Sequence, residues 1–479
     1  SRSKDSFERV RRKKLRICSS YIYATLIATF TVSVLLLAYN LYASLMEVPQ
    51  LPKVDLDEYW GPRFLKNTTD TSIRPFRIVF SEAMISDLRA RFDRYRNTKV
   101  TPSLENTAWT YGVNSETFEQ FISYWVFVYD YEKREKYLNQ YKHYKTKIQG
   151  LDIHFIRVKP NVNNNVKVLP LLLLHGWPGS VREFYEAIPM LTTPRSDFNF
   201  VFELIIPSLP GFGYSDATER SGLSTVPIAV IMRNLMHRLG FKQYYVQGGD
   251  FGFVVGSHLA TLFPDEVLGL HTNLALVLRK STIITWILGS IWPSLVESDY
   301  TDRLYPLSSK ISFYLEEFGY YHLQSTKPDT IGTALNDSPA GLAAYILEKF
   351  VIGTNSNNKY SYTGGLENIN FDDLLDNIMI YWATSSITTS IRLYKERIRY
   401  SELEDSVNII PTRVPVWAMR LKHEIVFVPE FMLKWKYLNL LGTTTLSFGG
   451  HFAALELPEI FADDVFLAVN RFISFNEHV

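Results

Sequence analysis

The longest uninterrupted apolar segment of the chain lies close to its N-terminus. No charged residue occurs between Ile17 and Met46, and a helix needs only about 20 apolar residues to cross a bilayer. A secretory signal peptide would have a shorter apolar stretch of about 7–15 residues. The pattern therefore predicts one membrane-spanning helix at 17–46, preceded by a basic tail at 1–16. Because basic residues precede this helix and acidic residues follow it, the positive-inside rule places the N-terminus in the cytosol.

Helical and strand-like patterns follow one another in the rest of the chain. Apolar residues from Ser81 to Tyr95 and from Ser115 to Tyr141 recur at helical spacing, and the region from about Arg74 to Tyr144 is predicted to be helical. Further on, short apolar runs alternate with helical ones. The strand-like runs are 151–158, 168–174, 202–207, 244–247, 416–419 and 443–448. Buried strands between helices predict an α/β fold with a mostly parallel, doubly wound sheet.

A helical insertion interrupts this rhythm between about 281 and 404. We expect it to lie over the carboxyl edge of the sheet, where folds of this kind place their sites. The predicted domains are the tail 1–16, the anchor 17–46, an N-terminal region 47–165, a first core part 166–280, a helical cap 281–404 and a second core part 405–479.

Composition excludes several classes of function. The net charge of the 479 residues is +1, so no broad basic surface is expected and nucleic acid is not predicted as a partner. Cys18 is the single cysteine, which excludes intrachain disulfides and zinc sites built on several thiolates. Thiol catalysis away from the membrane segment is excluded for the same reason.

The strongest local motif is Gly248-Gly249-Asp250-Phe251-Gly252. It follows a predicted strand and precedes a predicted helix, which is the setting of a nucleophile elbow, usually Gly-x-Ser-x-Gly. Glycines on both sides allow a sharp turn that lifts the central side chain out of the sheet. The motif predicts Asp250 as a nucleophile, and the alternative is a Gly-rich turn in which the aspartate caps the next helix.

A second motif, His175-Gly176-Trp177-Pro178-Gly179-Ser180, directly follows another predicted strand. Such a loop can turn a backbone N–H toward the nucleophile, and with the N–H of Phe251 it forms an oxyanion hole. Trp177 and Phe251 are therefore the predicted backbone donors, unless the motif is an ordinary turn. The Trp177–Pro178 bond in so tight a turn is a candidate for the cis form.

His451 is the predicted base and Glu424 the acid that orients it. His451 follows a Gly-Gly turn late in the chain, and Glu424 follows the strand at 416–419. The order Asp250, Glu424, His451 is that of nucleophile, acid and histidine in hydrolases with such an elbow. Glu430 is the competing acid, although its place after Pro429 at the start of a predicted helix is typical of a capping role.

An aspartate at the elbow changes the predicted reaction. Its ordinary pKa of about 3.9 keeps it ionised at neutral pH, so it can attack a saturated carbon and form an alkyl ester. His451 then activates a water that hydrolyses the ester. This scheme requires no metal and no organic cofactor.

Alkyl halides and epoxides are the two substrate classes that fit this scheme, but Phe251 lacks the side-chain N–H that would hold a halide beside the nucleophile. Tyrosines of the inserted region can protonate an epoxide oxygen, so epoxides are favoured over dehalogenation.

The chain resembles the microsomal epoxide hydrolases, including the insect juvenile hormone epoxide hydrolases, along nearly its whole length. The resemblance is carried by the anchor and by 109–113, 148–156, 175–180, 248–252, 326–330, 335–339 and 449–456. It implies an α/β-hydrolase fold with a helical cap and a helical N-terminal region, residues 47–165, that wraps the core. The tyrosines that donate protons in this family lie in Gly-Tyr-x-His and Tyr-Lys-Glu contexts, which match Tyr320 and Tyr394 here, with Tyr321 as the neighbouring alternative.

The resemblance also implies a substrate class and a location. Lipophilic epoxides and water would be the substrates, and the protein would be a single-pass protein of the endoplasmic reticulum membrane. The family usually has tryptophan after the nucleophilic aspartate, so Phe251 changes the wall of the pocket. The catalytic domain of mammalian members lies on the cytosolic side, whereas the basic flank and the acceptor sequence Asn67-Thr68-Thr69 favour the lumen. An inactive lipid- or hormone-binding relative, and an esterase using Ser180, are the remaining alternatives.

Overall fold

The structure, a computed structural model, describes residues 2–65, 70–98, 101–162, 166–277 and 279–478, so the acceptor sequence at 67–69 lies outside it. The chain divides into two compact units, Ser1–Pro49 and Gln50–Val479. The first consists mainly of α1 (Arg2–Met46). Within the described residues, Ser6–Asn40 of this helix is the one segment long and apolar enough to cross a membrane.

One sheet forms the centre of the second unit. Its nine strands, counted over the described residues, are β1 (Ile73–Phe76), β2 (His143–Ile148), β3 (Leu151–Val158), β4 (Lys167–Leu174), β5 (Phe200–Pro207), β6 (Tyr244–Gly248), β7 (Val267–Thr272), β8 (Thr412–Arg420) and β9 (Tyr437–Thr445). Their order is β1-β2-β3-β5-β4-β6-β7-β8-β9. The strands from β5 to β9 are parallel, and β1, β2 and β3 add antiparallel pairs at one side. The predicted α/β class is confirmed.

Helices cover the sheet, and the chain segment that connects β7 to β8 forms a separate layer of helices. Those that precede this layer are α2 (Glu82–Arg96), α3 (Ser115–Phe127), α4 (Tyr131–Leu138), α5 (Ile188–Thr192), α6 (Thr225–Arg238) and α7 (Asp250–Leu262). The layer, called the cap below, contains α8 (Lys280–Gly289), α9 (Leu307–Glu317), α10 (Gly319–Thr326), α11 (Pro328–Asp337), α12 (Pro339–Thr354), α13 (Phe371–Thr384), α14 (Ile387–Arg399) and α15 (Ser401–Ile409). The chain then adds α16 (Glu430–Leu433), α17 (Ala453–Glu456) and α18 (Pro458–Asn476).

Several elements differ from the sequence-based expectation. The region predicted to be helical, from about Arg74 to Tyr144, includes nearly all of β1 and the start of β2. Their residues become strands only by pairing with each other and with β3. The helix predicted over 115–141 is broken at Asp130, whose side chain accepts the N–H of Lys133 and starts α4. The last strand lies at Tyr437–Thr445 rather than at 443–448 because its register is set by pairing with β8. The short strand β7 was not predicted.

A buried ion cluster joins the N-terminal region, the core and the cap. Asp376 of α13 is fully buried, and its two oxygens accept from Arg134 of α4 at 2.9 Å and from Arg182 at 3.1 Å. The hydroxyl of Tyr129 donates to the same carboxylate at 2.9 Å. Asp373, one turn earlier on α13, also binds Arg182. Three separate parts of the sequence therefore meet at one buried carboxylate, which both guanidinium groups share.

Replacing Asp376 by asparagine should destabilise the protein strongly. Two buried guanidinium groups would lose the carboxylate they share, and breaking a buried pair in this way costs about 3–5 kcal/mol. We expect this loss in the free energy of unfolding of the full chain, measured in detergent by chemical denaturation with tryptophan fluorescence. As a control, Asp329→Asn removes an exposed partner of Arg392 and should cost less than about 1 kcal/mol. Equal effects of the two changes would contradict the role given to the cluster.

Candidate active site

Asp250 stands at the first position of α7, directly after β6. Its backbone φ is +48°, in the left-handed region that non-glycine residues rarely adopt. The turn can be this tight because Gly252 brings α7 against β4, and a Cβ at that position would lie 2.0 Å from the carbonyl oxygen of Leu174. The strained turn places the carboxylate at the carboxyl end of the parallel strands, where the elbow motif predicted it.

Two backbone N–H groups stabilise this carboxylate. The N–H of Trp177 donates to Oδ1 of Asp250 at 2.9 Å, and the nearby N–H of Phe251 helps to lower the pKa of the carboxyl group. The approach requires glycine at 176, since a Cβ there would lie 2.3 Å from the Cβ of Asp250. The peptide bond between Trp177 and Pro178 is cis. The structure thus brings the two predicted oxyanion donors together.

His451 lies between two carboxylates. Its Nδ1 is 2.7 Å from Oε1 of Glu424, and its Nε2 is 3.5 Å from Oδ2 of Asp250. Burial alone would lower the pKa of His451, but the two carboxylates outweigh burial and hold it well above the ordinary range of histidine. Burial alone would raise the pKa of Asp250, but His451 and the N–H groups of Trp177 and Phe251 hold it below its ordinary value.

The alternative residues weighed from the sequence lie elsewhere. Glu430 begins α16, where it pairs with Lys434 at 2.8 Å and accepts from Thr443 at 3.4 Å. Glu424 and not Glu430 therefore contacts His451. Ser180, the candidate nucleophile of an esterase, accepts the backbone N–H of Arg182 and caps a short 3-10 turn.

Tyr320 and Tyr394 approach the site from the cap. The ring of Tyr320 on α10 stacks on Trp177 with centroids 5.5 Å apart, and the ring of Tyr394 on α14 lies 5.7 Å from Trp177 and 4.8 Å from Phe251. Burial, with a further contribution from the charge of Asp250, raises the pKa of both phenols well above the ordinary value. Both therefore keep their protons at neutral pH. Tyr321 packs against Tyr394 at 5.3 Å.

Several residues that support the site were not predicted from the sequence. Glu456 accepts the N–H groups of Gly450 at 3.0 Å and Phe452 at 2.9 Å, which fixes the turn on both sides of His451. Burial raises the pKa of Glu456 to about 7. Asn273 donates to the carbonyl oxygen of His451 at 3.3 Å. The one sequence feature that could have indicated this contact is the four-residue spacing of Phe452 and Glu456, which stand at the two ends of the short helix α17.

The cap also holds the turn that carries Trp177. On α13, the side chain of Asn377 donates to the carbonyl oxygen of Pro178 at 2.8 Å, and the hydroxyl of Tyr381 donates to that of Gly179 at 2.7 Å. No local sequence pattern links 377 or 381 to 178 and 179. These contacts arise only when the cap folds onto the core.

Two cavities adjoin the site. A narrow one of about 30 Å³ is lined by Trp177, Tyr320 and His451, among others. A larger one of about 560 Å³ lies next to it and reaches Glu424, and both are bounded by Ile425. Among the described residues, no group of three or more His, Cys, Asp or Glu side chains is arranged to hold a metal ion.

Comparison with known proteins places these features in a family. The family model of the epoxide hydrolase N terminus matches residues 73–184, and that of the alpha/beta hydrolase fold matches residues 170–399. The chain is 51% identical to a juvenile hormone epoxide hydrolase of Bombyx mori, over 88% of this chain and 92% of that protein. It is 46% identical to epoxide hydrolase 1 of Oryctolagus cuniculus, over 85% of this chain and 91% of that protein.

Solved structures agree with this placement. The crystal structure of juvenile hormone epoxide hydrolase from the silkworm Bombyx mori superposes with a TM-score of 0.86 and 50% identity, covering 88% of this chain and 100% of that chain. The structure of Aspergillus niger epoxide hydrolase superposes with a TM-score of 0.69 and 26% identity, over 84% and 97% of the two chains. The family predicted from the motifs is confirmed: the chain belongs to the epoxide hydrolases of the α/β-hydrolase fold.

Proposed function

We propose that this protein hydrolyses lipophilic epoxides to vicinal diols through an ester formed on Asp250. The observation that carries the proposal is a carboxylate at the elbow, held by two backbone N–H groups, paired with His451 and facing two protonated tyrosines. The relatives named as juvenile hormone epoxide hydrolase and epoxide hydrolase 1 support an epoxide as the substrate. The aromatic wall formed by Trp177 and Phe251 supports a lipophilic one.

In the first step, Asp250 attacks a carbon of the epoxide. Because Oδ1 is held by the N–H of Trp177, Oδ2 is the oxygen left to form the bond. The carbon–oxygen bond of the ring breaks, and its electron pair goes to the epoxide oxygen. Tyr320 and Tyr394 donate hydrogen bonds to this oxygen and supply its proton. The product is an alkyl ester of Asp250 that carries one new hydroxyl group.

In the second step, water cleaves the ester. Forming the ester removes the charge of Asp250, which is one of the two charges that raise the pKa of His451. That pKa falls as a result, so His451 gives up its proton, which restores the tyrosinate left by the first step to a phenol, and it can then take a proton from water while Glu424 stabilises the imidazolium. The hydroxide attacks the ester carbonyl, and the N–H groups of Trp177 and Phe251 hold the oxyanion. The intermediate collapses, the leaving alkoxide takes the proton of His451 and departs as the diol, and the new carboxyl group returns its proton to His451, which restores the carboxylate.

We also propose that α1 holds the protein in a membrane. The segment Ser6–Asn40 has the length and hydropathy for one crossing, which supports a single-pass anchor within the proposed range 17–46. The likeness to microsomal members supports the endoplasmic reticulum as its location. We further propose domain boundaries at 165, 280 and 404, which separate the N-terminal region, the first part of the core, the cap and the second part of the core.

Blocking each step separately should show where the substrate becomes attached. We expect His451→Gln, incubated with styrene oxide, to accumulate a covalent adduct on the peptide that contains Asp250, because the ester forms but is not hydrolysed. Asp250→Asn should form none. The measurement is peptide mass spectrometry. His423→Gln alters a nearby histidine that does not contact Asp250 and should show no accumulation. An adduct on any other peptide would refute the proposed nucleophile.

Removing both phenol hydroxyls should slow ring opening without slowing ester hydrolysis. We expect Tyr320→Phe with Tyr394→Phe to lower the rate of ester formation by about 10²–10⁴-fold, since general acid assistance to the leaving oxygen is lost. Single-turnover tryptophan fluorescence separates the two steps. Tyr321→Phe is the matched control and should leave both rates unchanged. A loss of equal size in Tyr321→Phe would contradict the choice of donors.

The hydrolysis step should depend on pH through His451. Only the neutral imidazole accepts a proton, so we expect the single-turnover rate of ester hydrolysis to rise with pH and then level off between about pH 5 and 9. Glu424→Gln removes a charge that raises the pKa of His451. In this variant the increase of the hydrolysis rate should occur at lower pH, and the rate at the plateau should fall by roughly 10²–10⁴-fold. Glu430→Gln, the control, should change neither, and an unshifted profile in Glu424→Gln would exclude its assigned role.

A further inference from the structure

The start of the cap exposes a set of large apolar side chains. The set, called the cap apolar face here, consists of residues on α8 and in the turn after it that are each more than half exposed: Ile283, Ile287, Leu288, Ile291, Trp292 and Leu295. The exposed fraction reaches 86% at Ile291. No charged residue occurs from 281 to 296. Contiguous exposure of this kind is unusual for a surface that faces only water.

The orientation of α8 is the reverse of that expected for a helix packed on a protein core. Its buried positions include the polar Thr282, whereas Ile283 and Ile287 point outward. The inner side is fixed to the cap, since the hydroxyl of Tyr305 donates to the carbonyl oxygen of Trp286 at 3.0 Å. The helix is therefore held in place with its apolar side turned away from the protein.

We propose that the cap apolar face inserts into the bilayer that anchors α1, and this inference rests on the anchoring proposed above. Nine residues, 41–49, lie between the end of the apolar span at Asn40 and the second unit at Gln50, so the chain keeps this unit within reach of the bilayer. Trp292 is of the residue type that favours the membrane interface. Arg279 and Lys280 precede the face and Glu297 and Asp299 follow it, so the flanking charges balance and insertion depends on apolar contact and not on anionic lipid.

The position of α8 links this surface to the catalytic residues. Trp286 lines the larger cavity, which extends to Glu424 and Ile425. Ile425 also bounds the narrow cavity that contains His451. Charged side chains, among them Asp302, Arg303 and Lys310, line the larger cavity together with apolar ones, so it is a water-accessible opening. Insertion of the cap apolar face would place this opening, and the site behind it, next to the membrane surface.

Site-specific labels can test the insertion on the full chain. Cysteine is introduced at Ile291, or at Tyr111 as a control of similar exposure (79%), with Cys18 changed to serine, and each is labelled with a fluorophore. The protein is reconstituted in phosphatidylcholine vesicles that contain doxyl-labelled lipid. We expect the label at 291 to be quenched by the lipid and shielded from aqueous iodide, and the label at 111 to show the opposite.

Two other outcomes would overturn the inference. If iodide quenches both labels equally, the cap apolar face lies in water. If the label at 291 is shielded from both quenchers and shows energy transfer between copies, a second copy covers the face instead of lipid. Replacing part of the phosphatidylcholine by phosphatidylserine should leave the quenching at 291 unchanged, since two basic and two acidic residues flank the face and their charges balance. A strong dependence on anionic lipid would also contradict the inference.

Kinetics on a surface variant provides the second test. We expect Ile291→Glu with Leu295→Glu to raise the KM for a long-chain epoxide dissolved in vesicles by roughly tenfold, because two apolar side chains no longer enter hydrocarbon. The same variant should turn over styrene oxide at the unaltered rate, as should Tyr111→Glu with both substrates. An unchanged KM for the vesicle substrate would overturn the inference. If the unaltered protein turned over no epoxide, the proposed function would fail, while the quenching pattern would still decide the insertion.

Discussion

The imidazole of His451 lies between the buried carboxylate of Glu424 and the partly buried carboxylate of Asp250, and the charges of His451 and Asp250 stabilise each other. Burial opposes the charge of Asp250, which remains a carboxylate because His451 and two N–H groups hold its pKa low. The negative charges of Glu424 and Asp250 in turn stabilise the imidazolium and raise the pKa of His451. Glu456 and Asn273 hold the backbone around the histidine, which keeps the distances that this balance of charges requires.

The cap contributes to the site from two directions. Its helices α10 and α14 supply the tyrosines, whose rings pack on Trp177 and Phe251. Its helix α13 binds the carbonyl groups of the turn after Trp177, so the donor N–H of that residue is positioned partly by a segment some 200 residues later in the chain. The backbone of His451 also donates to Gly353 at the end of α12. Core and cap therefore form one site.

The sequence was most informative where function requires unusual local chemistry. The glycines around Asp250 and the turn before His451 identified the candidate residues, and the structure brings them within contact distance; their roles remain predictions. Most of the parallel strands, β7 excepted, were recognised because they are buried and apolar on both faces, although the last was placed too late in the chain. The polar strands β1 and β2 were missed because pairing, and not composition, makes them strands. Likewise, Glu456 and Asn273 have no local pattern strong enough to identify them.

The ion cluster at Asp376 limits how the cap can move. A hinge motion that lifted α13 from the core would separate buried guanidinium groups from their counter-ions, and each broken pair would cost several kcal/mol. The same motion would break the contacts to the turn that carries Trp177. An opening that admits substrate and releases the diol at lower cost must then come from cap segments outside α13, such as the helices that carry Tyr320 and Tyr394.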